Sequence, residues 1–187
     1  MRAVAEVVLE VDAHLQALGI PHAFGGALAL AYYAEPRGTV DVDVNVSVPF
    51  GERHHLLADF AGLGWTAAQP DGPPTAGVRL HQDGESVVID VFFAFDPLHA
   101  GVIERAVTVP FLFEGVRHDL PVLSAEDLII FKITIDRPRD WADIGAMADA
   151  GTPIDAEAVA RRAVDFAGPS VHPRLARFRN LLESAAD

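Results

Sequence analysis

The plainest pattern in the chain is a strict alternation. Val40, Val42, Val44, Val46 and Val48 are interleaved with Asp41, Asp43, Asn45 and Ser47. A period of two predicts a β-strand with the valines on one face and the polar groups on the other, and Pro49 ends it. Upstream, apolar residues from Val4 to Leu18 recur at helical spacing until Gly19 and Pro21 stop them. Ala23 and Phe24 then read as a short strand entering Gly25-Gly26. Ala27 to Ala34 reads as a short alanine-rich helix closed by Pro36 and Gly38. Downstream, Glu52 to Leu63 predicts a helix, and the Pro- and Gly-rich stretch from Ala68 to Thr75 a loop. Val78 to His81 and Ser86 to Phe93 predict a hairpin around Asp83-Gly84. Leu98 to Ala106 predicts a helix. Thr108 to Phe113 and Val116 to Leu123 predict a second hairpin turning at Glu114-Gly115.

The pattern changes after Leu123. Ser124 caps a helix, with Asp127 three residues on as a partner resembling a capping box. Pro138 breaks that helix, and further helices are expected near 139–150, 155–167 and 173–185. Strands dominate the middle of the chain and helices its last third. The expectation is an α+β fold: a mixed β-sheet flanked by helices over residues 1–123, then a C-terminal helical region over 124–187 packed on that core.

Composition narrows the chemistry. Half of the 187 residues are hydrophobic, enough for a substantial core. The chain has no cysteine, which rules out disulfides, zinc–thiolate sites, iron–sulfur clusters and thiol nucleophiles together. The N-terminal apolar residues are interrupted by Glu6, Glu10 and Asp12, and no uncharged run is long enough to cross a bilayer. A cytoplasmic protein with no membrane contact is the expectation. The net charge of -13 repels a long polyanion over most of the surface, so general DNA binding is not expected.

The candidate chemistry lies on the alternating strand. Asp41 and Asp43, two residues apart, share a face and repel one another unless something cationic lies between them. Facing a pocket, they suit a hard cation such as Mg²⁺. Asp90 is a lone acid in the apolar run Val87-Val88-Ile89-Asp90-Val91-Phe92-Phe93. If that strand lies beside the first, Asp90 completes a three-carboxylate cradle in which two metal ions can activate a hydroxyl and stabilise a leaving pyrophosphate. Gly25-Gly26, between a strand and a helix, lets a phosphate approach the backbone. Asp41, Asp43, Asn45 and Glu52 also fall at EF-hand positions one, three, five and twelve. Position six holds Val46 where that loop needs Gly, and the alternating valines demand a strand instead.

The segments Phe24-Gly25-Gly26-Ala27-Leu28-Ala29-Leu30 and Arg37-Gly38-Thr39-Val40-Asp41-Val42-Asp43-Val44 resemble the polymerase-β-like nucleotidyltransferase superfamily. The Gly-Gly…Arg-x-Thr-x-Asp-x-Asp form is similar to the abortive-infection and type IV toxin–antitoxin nucleotidyltransferases, and also to small antibiotic nucleotidyltransferases. The resemblance continues at Asp127-Leu128-Ile129-Ile130-Phe131-Lys132 and at Arg137-Pro138-Arg139-Asp140-Trp141-Ala142-Asp143-Ile144, and covers roughly residues 22 to 145. It implies that Asp41 and Asp43 bind two Mg²⁺ ions. Asp90 would bind the catalytic ion and help deprotonate the acceptor. Gly25 and Gly26 would hold the terminal phosphates of a nucleoside triphosphate, with Arg37 and Thr39 beside them. Lys132 is implied as a cation for phosphate or the transition state, and Asp140 and Asp143 as residues orienting Lys132 or Arg139.

The expected reaction is in-line attack of an acceptor hydroxyl on the α-phosphate of an NTP, with loss of pyrophosphate. The acceptor is an RNA end, such as a tRNA, for a toxin-like enzyme, or a small hydroxyl compound. An antitoxin is a possible partner in the first case. The alternative is a catalytically inactive nucleotide-binding or antitoxin-like module. His54-His55 lacks a partner at metal spacing and reads as solvated. Arg161, Arg162, Arg174, Arg177 and Arg179 read either as solvated helix faces or as an RNA contact.

Overall fold

The computed structural model describes residues 2–68, 77–95 and 97–185. All of the Pro- and Gly-rich stretch but Ala68 lies outside them. Among the described residues the chain forms seven strands and eight α-helices, divided between two compact units. The first comprises residues 1–28 and 38–123, the second residues 29–37 and 124–187.

The first unit is built on a mixed sheet. Its strands are β1 (His22–Phe24), β2 (Asp41–Pro49), β3 (Thr66–Ala67), β4 (Gly77–His81), β5 (Val88–Ala94), β6 (Val107–Phe113) and β7 (Val116–Val122), in the order β3-β4-β5-β2-β1-β7-β6. β2 runs parallel to β5 and antiparallel to β1, and β4 runs antiparallel to β5. The alternation in β2 is why its register is fixed: slipping by one residue would bury the aspartates and expose the valines. Val42, Val44 and Val46 pair with Ile89, Val91 and Phe93, and all six are at most 1% exposed. Helices α1 (Val4–Ala17), α3 (Arg53–Gly62) and α4 (Pro97–Glu104) pack against the sheet. Buried His22 ties β1 to α1: its Nε2 lies 3.0 Å from Asp12 Oδ1 and its Nδ1 3.0 Å from the Ile20 carbonyl. The β6–β7 turn falls at Glu114-Gly115, both with positive φ.

Two local expectations change. The alanine-rich helix is shorter than its sequence suggests: α2 covers only Gly26–Leu30, and turns follow. The polar face of β2 is not uniformly wet either. Asn45 is 5% exposed and its amide donates to the Ala23 carbonyl at 3.4 Å. The EF-hand geometry is absent, since Asp41–Pro49 is a ladder-bonded strand.

The second unit holds α5 (Ala125–Ile135), α6 (Pro138–Asp149), α7 (Ala156–Ala167) and α8 (His172–Ala185). Ser124 caps α5, its hydroxyl accepting from the Asp127 N–H at 3.2 Å. α5 is apolar nearly all round and touches α6, α7 and α8, as a central helix does. Asp136, left-handed at φ 63°, ends α5, and Pro138 starts α6 at a position where a missing N–H costs nothing.

Candidate active site

In the first unit, the strand register puts three carboxylates on one face. Asp43 lies directly opposite Asp90 across the β2–β5 pair, and Asp41 is two residues back on β2. Residues directly opposite one another in neighbouring strands share a face, so the shared face follows from pairing alone. Thr39 sets the strand's start: its hydroxyl accepts from the Asp41 N–H at 3.0 Å and donates to the Asp41 carbonyl at 3.2 Å.

Gly25 and Gly26 meet Asp43 closely. The Gly25 N–H donates to the Asp43 carbonyl at 2.8 Å. A Cβ on Gly26 would lie 1.8 Å from Asp43 Oδ2, and Gly26 has φ +53°. The turn is therefore glycine for two reasons, a left-handed backbone and room for the Asp43 carboxylate. The five-residue α2 supplies little helix dipole, so space is the larger part of what the turn offers.

A residue that the sequence reading did not single out completes this face. Arg79, on β4, lies opposite Asp90 on its other side. Its Nε donates to Asp90 Oδ1 at 2.8 Å and its Nη2 to Oδ2 at 2.5 Å, while Nη2 is also 3.5 Å from Asp41 Oδ1. The hydrogen bond to Asp90 raises the Arg79 pKa above its ordinary value; partial burial opposes this, and the charges of Asp90, Asp41 and Asp43 add to it. The sequence carried only part of the signal: a two-residue turn at Asp83-Gly84 would set Arg79 across from Val88, on the face of the β5 acid but two residues short of it, and the observed register brings it opposite Asp90. Among the described residues no three acidic or imidazole groups stand together as a ligand set, and the Asp90 carboxylate is engaged by the Arg79 guanidinium.

The second unit contains a separate charged cluster. Lys132 lies on the apolar helix α5 and is 5% exposed, so its charge needs a partner. Its Nζ donates to Asp143 Oδ2 at 2.5 Å and is 3.9 Å from Asp140 Oδ1. Arg37 forks onto Asp143, Nε to Oδ1 and Nη2 to Oδ2, each at 3.1 Å. Asp140 accepts from the N–H and side chain of Arg137 rather than from Arg139. Burial pushes the Asp143 carboxyl up, but the hydrogen bonds from Arg37 and Lys132 outweigh it and hold the pKa below its ordinary range. A folded pKa below the unfolded one makes the carboxylate stabilising above about pH 4, the ordinary Asp value. That contribution is lost as pH falls through the lowered folded value. Urea midpoints measured from pH 7 to pH 3 should therefore fall, and should fall less in Asp143→Asn.

Most of the C-terminal arginines have partners inside the unit. Arg162 pairs with Asp127 at 3.1 Å, Arg174 with Asp136 at 3.0 Å and Arg179 with Glu157 at 3.7 Å, while Arg177 lies 4.1 Å from the Trp141 ring centroid. Arg161 lines a groove of about 580 Å³ with Val164, Asp165, His172, Leu175 and Arg179.

A family model described as the nucleotidyl transferase AbiEii toxin, type IV TA system, matches residues 9–186. The chain belongs to this family. As an AbiEii family member it is a nucleotidyltransferase, and the carboxylate face lies where the Gly-Gly turn meets the Asp-x-Asp strand. Solved structures share the fold. An antigenic nucleotidyltransferase-like protein from Paracoccidioides brasiliensis is 18% identical with a TM-score of 0.54, covering 92% of this chain and 91% of that one. ANT(2")-Ia in complex with adenylyl-2"-tobramycin is 18% identical with a TM-score of 0.52, covering 94% and 98%. The lincosamide antibiotic adenylyltransferase LnuA, lincomycin-bound, is 11% identical with a TM-score of 0.51, covering 79% and 96%. A comparison with curated proteins gives no match. Among the described residues no helix is long and apolar enough to cross a membrane.

The Gly-Gly turn offers a test within this AbiEii family member. In Gly26→Ala the new methyl displaces the Asp43 carboxylate, which is short enough to rotate away, and adds left-handed backbone strain of about 1–2 kcal/mol. Thermal unfolding should show that modest loss, while nucleotidyl transfer should fall by far more than the lost stability explains.

Proposed function

We propose that the chain moves a nucleoside monophosphate from an NTP to an acceptor hydroxyl, with Mg²⁺ held by Asp41, Asp43 and Asp90. The supporting observation is the register that sets Asp43 opposite Asp90 with Asp41 beside them, against a glycine turn that leaves Asp43 room. Three carboxylates on one face supply the hard oxygen donors that Mg²⁺ prefers, so the residues fit the ion by chemistry. When bound, Mg²⁺ neutralises the charge that develops on the leaving pyrophosphate.

The chain's own residues do the rest. Asp90 takes the proton from the acceptor hydroxyl as the new oxygen–phosphorus bond forms and the bond to pyrophosphate breaks. The side-chain-free backbone at Gly25 and Gly26 leaves space for the terminal phosphates. Thr39 and its hydrogen bonds to the Asp41 backbone hold the start of the strand. Lys132 and Arg37 are the basic residues that the family resemblance adds. Both are bonded to Asp143.

The acceptor we favour is an RNA end, with an antitoxin as the partner that restrains the toxin in the cytoplasm. The family supports this choice. The charge of -13 disfavours contact along a polyanion and by itself leans toward a small acceptor, so the family carries the choice. Incubation with labelled NTPs, Mg²⁺ and total RNA should put label into RNA. Label appearing only in small hydroxyl compounds would redirect the assignment to small-molecule modification. Tight Mg²⁺-ATP binding with no pyrophosphate released under any condition would instead favour an inactive nucleotide-binding module.

A further inference from the structure

Arg79 lies outside the Gly-Gly, Asp-x-Asp and Lys-bearing segments, yet the sheet makes it part of the carboxylate face. Asp90 is flanked on one side by Asp43 and on the other by Arg79, each in direct register. The guanidinium takes both Asp90 oxygens in a fork and also stands 3.5 Å from Asp41 Oδ1. Two of the three carboxylates thus already share one cation.

We infer that Arg79 is a positioning residue that serves as an internal counter-ion, holding Asp90 and Asp41 until a divalent cation takes those carboxylates from it. The inference rests on the carboxylate-site reading above.

The physical reason is competition for the same lone pairs. A fork-shaped guanidinium and a divalent ion both approach a carboxylate in its plane and through its two oxygens. Binding the ion to Asp90 is then an exchange in which the Arg79 fork opens. Like charges so close also repel, which lowers affinity for the ion for as long as Arg79 stays. Exchange is feasible because the Arg79 side chain is 49% exposed, whereas that of Asp90 is 16% exposed. The arginine swings into solvent at little desolvation cost, and the acid stays in place. Arg79 also spares the apolar β5 strand an uncompensated carboxylate when no other cation is bound.

The test is Mn²⁺ binding to the full chain without nucleotide, read by electron paramagnetic resonance of free Mn²⁺. Arg79→Gln keeps a polar side chain and removes the charge. It should bind Mn²⁺ about tenfold more tightly than wild type. Arg79→Lys keeps the charge without the fork and should fall between the two. Asp43→Asn, made in both backgrounds, marks which binding belongs to the site. Circular dichroism confirms that each variant is folded. A merely structural arginine would leave affinity unchanged or weaken it on removal. Equal or weaker binding by Arg79→Gln, with Asp43→Asn still abolishing it, overturns the counter-ion role and leaves the carboxylate site standing. Absence, in wild type and in Arg79→Gln alike, of any Mn²⁺ binding that Asp43→Asn removes overturns both.

Discussion

Asp43→Asn should reduce nucleotidyl transfer by about three orders of magnitude or more while the protein stays folded. The amide keeps the size and shape of the carboxylate, so the close fit against Gly26 survives. What disappears is the negative charge at the centre of the row formed by Asp41, Asp43 and Asp90. Removing one of three neighbouring carboxylates also relieves repulsion, so the melting temperature should hold or rise slightly. Pyrophosphate release from NTP with Mg²⁺, beside a thermal melt, separates the two effects. Asp41→Ala and Asp43→Ala should behave alike in activity. Undiminished transfer by both would remove the site from this face of the sheet.

The largest effect on stability is expected at Asp143→Ala. Asp143 is 4% exposed and neutralises Lys132, itself 5% exposed on the apolar helix α5. Truncation strands a buried ammonium and frees the Arg37 fork, a class of change that costs about 3–5 kcal/mol. For a chain of this size that is a fall of about 10 °C in melting temperature. The control is the double replacement Lys132→Met with Asp143→Leu. It removes both charges and fills the space with apolar atoms, so it should recover much of the loss. Failure of Asp143→Ala to destabilise would mean that Lys132 finds water or another carboxylate. Asp140, 3.9 Å away, is the nearest candidate.

Both experiments touch residues visible in the sequence, for different reasons. Asp41 and Asp43 announce themselves because a strand's period of two is short-range and survives any tertiary context. Asp90 is conspicuous as a lone acid among valines and phenylalanines, and its place opposite Asp43 meets the condition on which a shared face with Asp41 and Asp43 depended. Lys132 was equally visible as a lone charge on an apolar helix. The family resemblance implies Asp140 and Asp143 as residues orienting Lys132 or Arg139, and packing sets Lys132 on Asp143, with Asp140 further off. The resemblance implies Arg37 beside the phosphates, but it forks onto Asp143. Nothing local to Arg37 encodes a partner 106 residues away.

Arg79 shows where sequence reading stops. A hairpin turning at Asp83-Gly84 sets it on the face of Asp90 but opposite Val88; the folded register shifts it across from Asp90, and whether it forks onto the acid or extends into solvent depends on neighbours from a third strand. The C-terminal arginines make the same point. Their spacing allowed a basic face, whereas four of the five find a carboxylate or an aromatic ring within their own unit.

By itself, the sequence determined the elements and their faces: an alternating strand that had to bury its valines, a glycine turn before it, and an apolar helix that carries a lone lysine. These follow from periodicity and from the cost of burying charge, which act between near neighbours along the chain. The tertiary structure decided which charge answers which. Ion pairing acts through space between residues far apart in sequence, so only the packed sheet brought Arg79 onto the aspartates and only the packed helices gave Lys132 to Asp143.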